Sequence, residues 1–166
     1  MIRLIFLVLA LDMASKFWIQ QEVQLMNPHF HSYPYQGIGL FQDFFGIEGS
    51  LVHTTNSGAA WGLFSHYQMP LLYLRIGFTV ILSIFLLFFN KNRRYVAPYS
   101  LILAGAIGNI IDFFLYGHVI DMFHFVFWGW EYAVFNIADT AICLGIIWVV
   151  ILSFFEDAKH TKPTSF

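Results

Sequence analysis

The run Leu101-Ile-Leu-Ala-Gly-Ala-Ile-Gly-Asn-Ile-Ile-Asp112 decides how this chain folds, with Gly117-His-Val-Ile-Asp121 directly after it and Phe135-Asn-Ile-Ala-Asp139 further on. Each lies in or beside a segment apolar enough to sit in a bilayer. A carboxylate at the centre of such a helix costs about 2.5–3.5 kcal/mol on insertion scales, so an aspartate kept there marks a functional site. On a helix through 97–116, Leu101, Gly105, Gly108 and Asp112 share one face. The two glycines on that face let another backbone or a substrate come close to the carboxylate.

Outward from this run the chain keeps the same character. Of its 166 residues 58% are hydrophobic, 20% aromatic and only 11% charged, the composition of a membrane protein. A span needs about 20 mostly apolar residues, and four windows qualify: about 2–21, 69–89, 97–116 and 133–155. An even number of spans puts both termini on one side. Arg3, Lys91, Arg93, Arg94, Lys159 and Lys162 all fall on that side, which is therefore cytoplasmic. Met1–Ala10 has the charged start and apolar core of a cleavable signal peptide. However, Asp12 and Lys16 stand four apart as a compensating pair on one helical face, which favours a retained first helix.

The segment 22–68 then lies outside the cytoplasm. Pro28, Pro34, Gly37, Gly39, Gly46 and Gly49 prevent it from spanning, while Gly39–Phe45 and Ser50–Thr55 read as short strands. The expected architecture is an all-α integral membrane protein, one domain over 1–166, with four transmembrane helices and a small extracytoplasmic β-sheet between the first two. Exposed Phe and Leu of that sheet would dip into lipid. The net charge is −2 and the longest basic cluster is Lys91–Arg94, which excludes a nucleic-acid footprint. The single cysteine, Cys143, excludes an internal disulfide and reads as a packing residue.

The polar residues within the apolar segments carry the chemistry. Asn109 stands three before Asp112 and Asn136 three before Asp139, so each amide is expected beside its own carboxylate, as interhelical glue or as part of a site. Asp139 is expected about 9 Å below the point where the last helix enters. Asp121 follows soon after the third helix exits on the same side, so the two can meet near the outer boundary. Two carboxylates sharing one site cannot both ionise easily, and one keeps a proton at neutral pH. That is the arrangement for hydrolysis by a base that draws a proton from water and an acid that polarises a carbonyl. Residue chemistry alone leaves Asp112 and Asp121 both open as the partner of Asp139.

Other readings are weaker. His118, Asp121 and His124 lack metal-binding helical spacing, and Ser57 in Asn56-Ser-Gly58 is a turn residue rather than a nucleophile. A proton-coupled transporter is the rival from another class, since membrane aspartates also serve as proton relays. It would need a polar path to the cytoplasmic side, where the helices read as apolar, with Gly77, Ser83 and Ser153 among the breaks.

Five ordered blocks add a family resemblance: Asp12-x-x-x-Lys16, Asn56-Ser-Gly-Ala-Ala-Trp-Gly-Leu-Phe64, Gly105-x-x-Gly-Asn-x-x-Asp112, Gly117-x-Val-x-Asp121 and Phe135-Asn-x-Ala-Asp139. In order and spacing the chain resembles the lipoprotein signal peptidase (signal peptidase II) family. The resemblance implies an aspartic endopeptidase of the bacterial inner membrane, with its active site near the extracytoplasmic face. It implies cleavage of prolipoproteins before a diacylglyceryl-modified cysteine, with membrane lipids as surroundings and no metal, nucleotide or nucleic acid. By position Asp121 and Asp139 match the catalytic pair. Asn56, Gly58, Asn109 and Asn136 match positions that hold substrate or orient the pair. Asp12 and Lys16 match a supporting pair on the first helix, and Asp112 matches a structural aspartate. The family carries an arginine directly after that aspartate where this chain has Phe113, and His118 and Arg75 are the cationic candidates to stand in for it.

Overall fold

The computed structural model describes residues 1–27, 29–58 and 60–160. Pro28, Ala59 and Lys162, which entered the reading above, lie outside the described residues, as does the side chain of Lys159. Four long helices are present: α1 (Ile2–Glu22), α2 (Gln68–Ile84, continued by a π turn over Phe85–Phe89), α3 (Val96–Tyr116) and α4 (Ile137–His160). Among the described residues three helical stretches are long and apolar enough to cross a membrane: Ser65–Phe89, Arg93–Tyr116 and Ile137–Glu156.

α3 is the centre of the bundle, burying Ser100, Ile102–Gly105, Gly108, Asn109 and Asp112. Pro98 fits its first turn, where no intrahelical donor is needed, and Gly117 ends it in the left-handed conformation (φ 77°) with its N–H on the Phe113 carbonyl. The glycine face of α3 is required by close approach. A Cβ at Gly105 would stand 2.2 Å from the Ala138 carbonyl oxygen of α4, and one at Gly108 would stand 2.8 Å from Asp12 Oδ2 of α1. The seam is thus narrow enough for side chains of α1 and α4 to reach across α3.

α1 turns the usual pattern inside out. Phe6, Leu7, Leu11 and Phe17 are exposed, whereas the inward stripe is Val8, Asp12, Lys16 and Ile19. Apolar side chains facing outward suit a helix whose solvent is lipid, so the stripe facing protein is free to carry charge provided it is paired. Towards the other end of the bundle the core is built on Leu82, Leu86, Ile102 and Leu103 with Ile5 and Tyr99 against them, and the buried hydroxyls of Thr79 and Ser100 donate to backbone carbonyls of their own helices.

The two loops at the opposite end build one antiparallel sheet in the order β1 (Ile38–Phe44), β2 (Ile47–Asn56), β3 (Val119–Phe127), β4 (Trp130–Glu131). The strands expected in segment 22–68 are there. The sheet is not confined to the loop between the first two helices, however, because its other half comes from the α3–α4 connection, and this corrects the all-α expectation. The reason is visible in Val119–Phe127, whose aromatic and β-branched residues suit a pleated surface. β2 pairs with β3 from Ile47↔Phe127 to Asn56↔Val119, with an irregularity between Leu51 and Thr54. That register sets Asn56 and Asp121 near each other at the end of the sheet closest to the helices.

Candidate active site

Asp121 is carried by β3 and Asp139 by the first turn of α4. Asn136 caps that helix: its Oδ1 accepts from the Asp139 N–H (2.8 Å), while Asp139 Oδ2 faces the Asn136 N–H (3.4 Å). Asp139 therefore sits at the mouth of the helix rather than two turns below an entry at residue 133, because the chain from 132 to 135 is extended and pairs with β3 instead.

The Asn136 amide group also donates to Asp121 Oδ1 (2.7 Å), with Ile120 O and Asn109 Oδ1 as further acceptors at 3.1 and 3.2 Å. Asp121 Oδ2 receives a second hydrogen bond from Asn56 Nδ2 (3.0 Å). Asn56 is aimed by a local turn in which its Oδ1 accepts the Gly58 N–H (2.9 Å), the arrangement expected of Asn-Ser-Gly. Glycine is required at 58, where a Cβ would lie 2.3 Å from the Leu63 carbonyl oxygen. One asparagine thus ties the two carboxylates together while a second completes the hydrogen bonding of Asp121.

Asn109 does not pair with Asp112, three residues on. Its Nδ2 donates to Asp139 Oδ1 (2.7 Å), and its Oδ1 accepts from Lys16 (3.2 Å) and Asn136. Asp112 is instead held by Lys16 (2.7 Å) and by the Ile120 N–H (3.3 Å). Lys16 is 1% exposed and uses its three N–H donors on Asp112, on Asp12 (2.6 Å) and on Asn109. Asp12 in turn accepts from the Ala138 N–H (2.8 Å), so α1 fixes the start of α4. The cation beside Asp112 is Lys16, neither His118 nor Arg75. Burial holds His118 below its ordinary pKa, and Arg75 donates to the Gly58 carbonyl (2.7 Å). Phe113 packs against Phe114 instead of supplying a charge.

Asp121 is 2% exposed, and burial, reinforced by the nearby Asp139, pushes its carboxyl up to about 7 despite the hydrogen bonds from Asn56 and Asn136. Both aspartates line a cavity of about 420 Å³ bounded by Asn56, Arg75, Asn109 and Tyr132 and by an apolar wall of α4. Cys143 belongs to that wall and is exposed, so it is not the packing residue its apolar context implied. Among the described residues no group of three His, Cys, Asp or Glu is arranged to hold a metal ion. The contributions of Arg75 and Tyr132 to the cavity were not legible in sequence, since neither belongs to a motif block.

Two carboxylates, tied through one amide and opening on a cavity with an apolar wall, suit hydrolysis of a bond in a partly lipophilic substrate. Comparison with known proteins agrees. The family model described as "Signal peptidase (SPase) II" matches residues 4–155. A lipoprotein signal peptidase from Buchnera aphidicola subsp. Schizaphis graminum is 35% identical over 160 residues, covering 93% of this chain and 94% of that protein. One from Chlamydia muridarum is 35% identical over 161 residues, covering 93% and 92%. A solved bacterial membrane enzyme, determined in meso at 2.3 Å, superposes with a TM-score of 0.76 at 25% identity over 99% of this chain and 93% of that one.

Proposed function

The chain belongs to the signal peptidase II family of aspartic peptidases, which remove signal peptides from prolipoproteins, and on that premise we propose that Asp121 and Asp139 are its catalytic pair. The observation that carries the assignment is Asn136, which reaches both carboxylates from one side chain and one backbone N–H. Asp112, the other candidate, is engaged by Lys16 and supports the fold.

The pair shares one proton at neutral pH, with Asp121 as its holder. Ionised Asp139 draws a proton from water as the water attacks the scissile carbonyl. Asp121 donates a hydrogen bond to the carbonyl oxygen, and the departing amine takes its proton from the pair. Asn109 and Asn136 keep the carboxylates oriented, while Asn56 and Gly58 form the sheet-side wall against which substrate lies.

The bond cleaved is the one before a diacylglyceryl-modified cysteine. Each acyl CH₂ buried contributes about 0.8 kcal/mol, and an apolar groove between α2, α3 and α4 shares Arg75, Asn109 and Ile142 with the dyad cavity, giving the lipid a place to anchor the peptide. In this reading the whole chain is one membrane domain of the bacterial inner membrane. α1 is the fourth span, both termini are cytoplasmic, and the sheet lies at the extracytoplasmic surface with Phe44, Phe45 and Trp128 in the lipid interface. The transporter alternative is not supported, because the matched relatives are peptidases and the apolar core of Leu82, Leu86, Ile102 and Leu103 lies between the dyad and the Asn92–Glu156–Tyr95 cluster at the opposite end.

Reconstitution tests the function. The purified enzyme is expected to cleave a diacylglyceryl-modified prolipoprotein peptide and to leave the unmodified peptide largely intact. Equal cleavage of both, or of neither, would contradict it.

The pH profile tests the proton holder. Since Asp121 titrates at about 7, kcat/KM is expected to fall as pH rises through that value and the pair loses its last proton. The sign for stability is the same: a carboxyl raised from 3.8 to about 7 contributes most in acid, and the contribution disappears as pH rises through the folded value. A rate that is flat from pH 6 to 9 would remove Asp121 from this role.

A further inference from the structure

A second cavity, of about 360 Å³, adjoins the first. The two share Asn56, Asp121 and the segment Tyr132–Val134, so a single catalytic carboxylate stands at the junction of both. Their linings differ in character. The first has the apolar wall of Ile142, Cys143 and Leu144 on α4, whereas the second is lined by Thr54, Thr55, Ser57, Ser65, His124 and Glu131 from the sheet and the loop after it. Trp61 stands over it, its ring 5.8 Å from that of Tyr132.

A bond hydrolysed at Asp121 needs its polypeptide to continue on both sides of that residue. One side of the substrate is an apolar signal helix with acyl chains nearby, which suits the first cavity and the groove open to lipid. The other side is a water-soluble chain, which suits the second. The connecting segment is prepared for an extended peptide: β4 ends at Glu131, and among the described residues neither the Ala133 nor the Val134 N–H donates to a backbone carbonyl. Strand-edge groups left in this state are those an extended chain pairs with.

Charge gives the second cavity a preference. Its described lining contains Glu131 and Asp121 but no lysine or arginine. His124 does not offset them, since burial keeps its imidazole neutral near pH 7, held between Ser50 and the Tyr35 ring. Glu131 is exposed at the rim, close enough to influence both His124 and Tyr35 electrostatically.

Building on the peptidase reading above, we propose that this second groove holds the polypeptide following the modified cysteine, and that Glu131 at its rim favours basic or neutral residues there over acidic ones.

The test uses the purified full chain and three diacylglyceryl-modified peptides identical except at the second and third residues after the cysteine, which are Lys, Gln or Asp. The expected order of kcat/KM is Lys, then Gln, then Asp, each step about two- to fivefold, as for a partly exposed ion pair. Glu131→Gln is expected to flatten the series, Glu131→Lys to reverse it, and high salt to shrink it. An order that is unaffected by charge, or that is the same in wild type and Glu131→Lys, would overturn the groove assignment while leaving the peptidase reading intact. Failure of the wild type to cleave any of the three peptides would overturn both.

Discussion

Asp139→Asn is expected to lower cleavage of a lipid-modified substrate by about 10²- to 10⁴-fold, and Asp121→Asn by a similar factor, with both variants still folded. The separation of activity from folding follows from the hydrogen bonds. At 139 an amide keeps an oxygen for the Asn109 donor and gives up only the long 3.4 Å contact with the Asn136 N–H. At 121 an amide oxygen can still accept from Asn136, but its nitrogen then faces the Asn56 amide, losing one hydrogen bond at about 1 kcal/mol. An amide at 139 cannot take a proton from water, and one at 121 has no acidic proton to pass to the departing amine. Cleavage assays beside a thermal melt of the same detergent-purified sample check this, and near-normal turnover by either variant would remove that residue from the catalytic pair.

Lys16→Met is expected to destabilise the protein by about 3–5 kcal/mol, a large part of the roughly 5–15 kcal/mol that holds a domain folded. Lys16 is the shared partner of Asp12 and Asp112, each nearly or wholly excluded from solvent. Removing it leaves two uncompensated carboxylates and takes a donor from Asn109, the residue that holds Asp139. Adding Asp112→Asn to Lys16→Met is expected to recover part of the stability, because one of the stranded charges disappears. A double-mutant cycle on melting measures this coupling. Additive losses would mean that Asp112 and Lys16 do not act as a pair.

Both predictions depend on contacts that differ in how far they could be read in advance. Asn136 and Asp139 are three residues apart, and a helix start turns that spacing into reciprocal capping by local geometry alone. Asp12 and Lys16 are likewise neighbours on one helical face, and their pairing was legible for the same reason. Asn109 and Asp112 have that spacing too, yet they turn to different partners. Position 109 looks toward α4 and position 112 toward α1, and which of them meets Asp139 depends on how three helices are arranged around the glycine seam. The partner of Asp112 was hidden for this reason: Lys16 lies 96 positions before it and had already been matched to Asp12.

By itself the sequence determined the membrane character, the positions of the four long helices, the strand-forming runs of the first outer loop, and a short list of polar residues too costly to bury without purpose. These follow from composition and from periodicities of two and 3.6 residues, which act over a few neighbours. Only the tertiary structure decided that two loops would join in one sheet, that Asp121 and Asp139 would be linked through Asn136, that Lys16 would hold Asp112, and that a second groove would open beside the first. Each of those outcomes is a contact between residues far apart in the chain. A buried polar group satisfies itself with whichever partner packing brings within about 3 Å, and spacing along the chain cannot specify that partner.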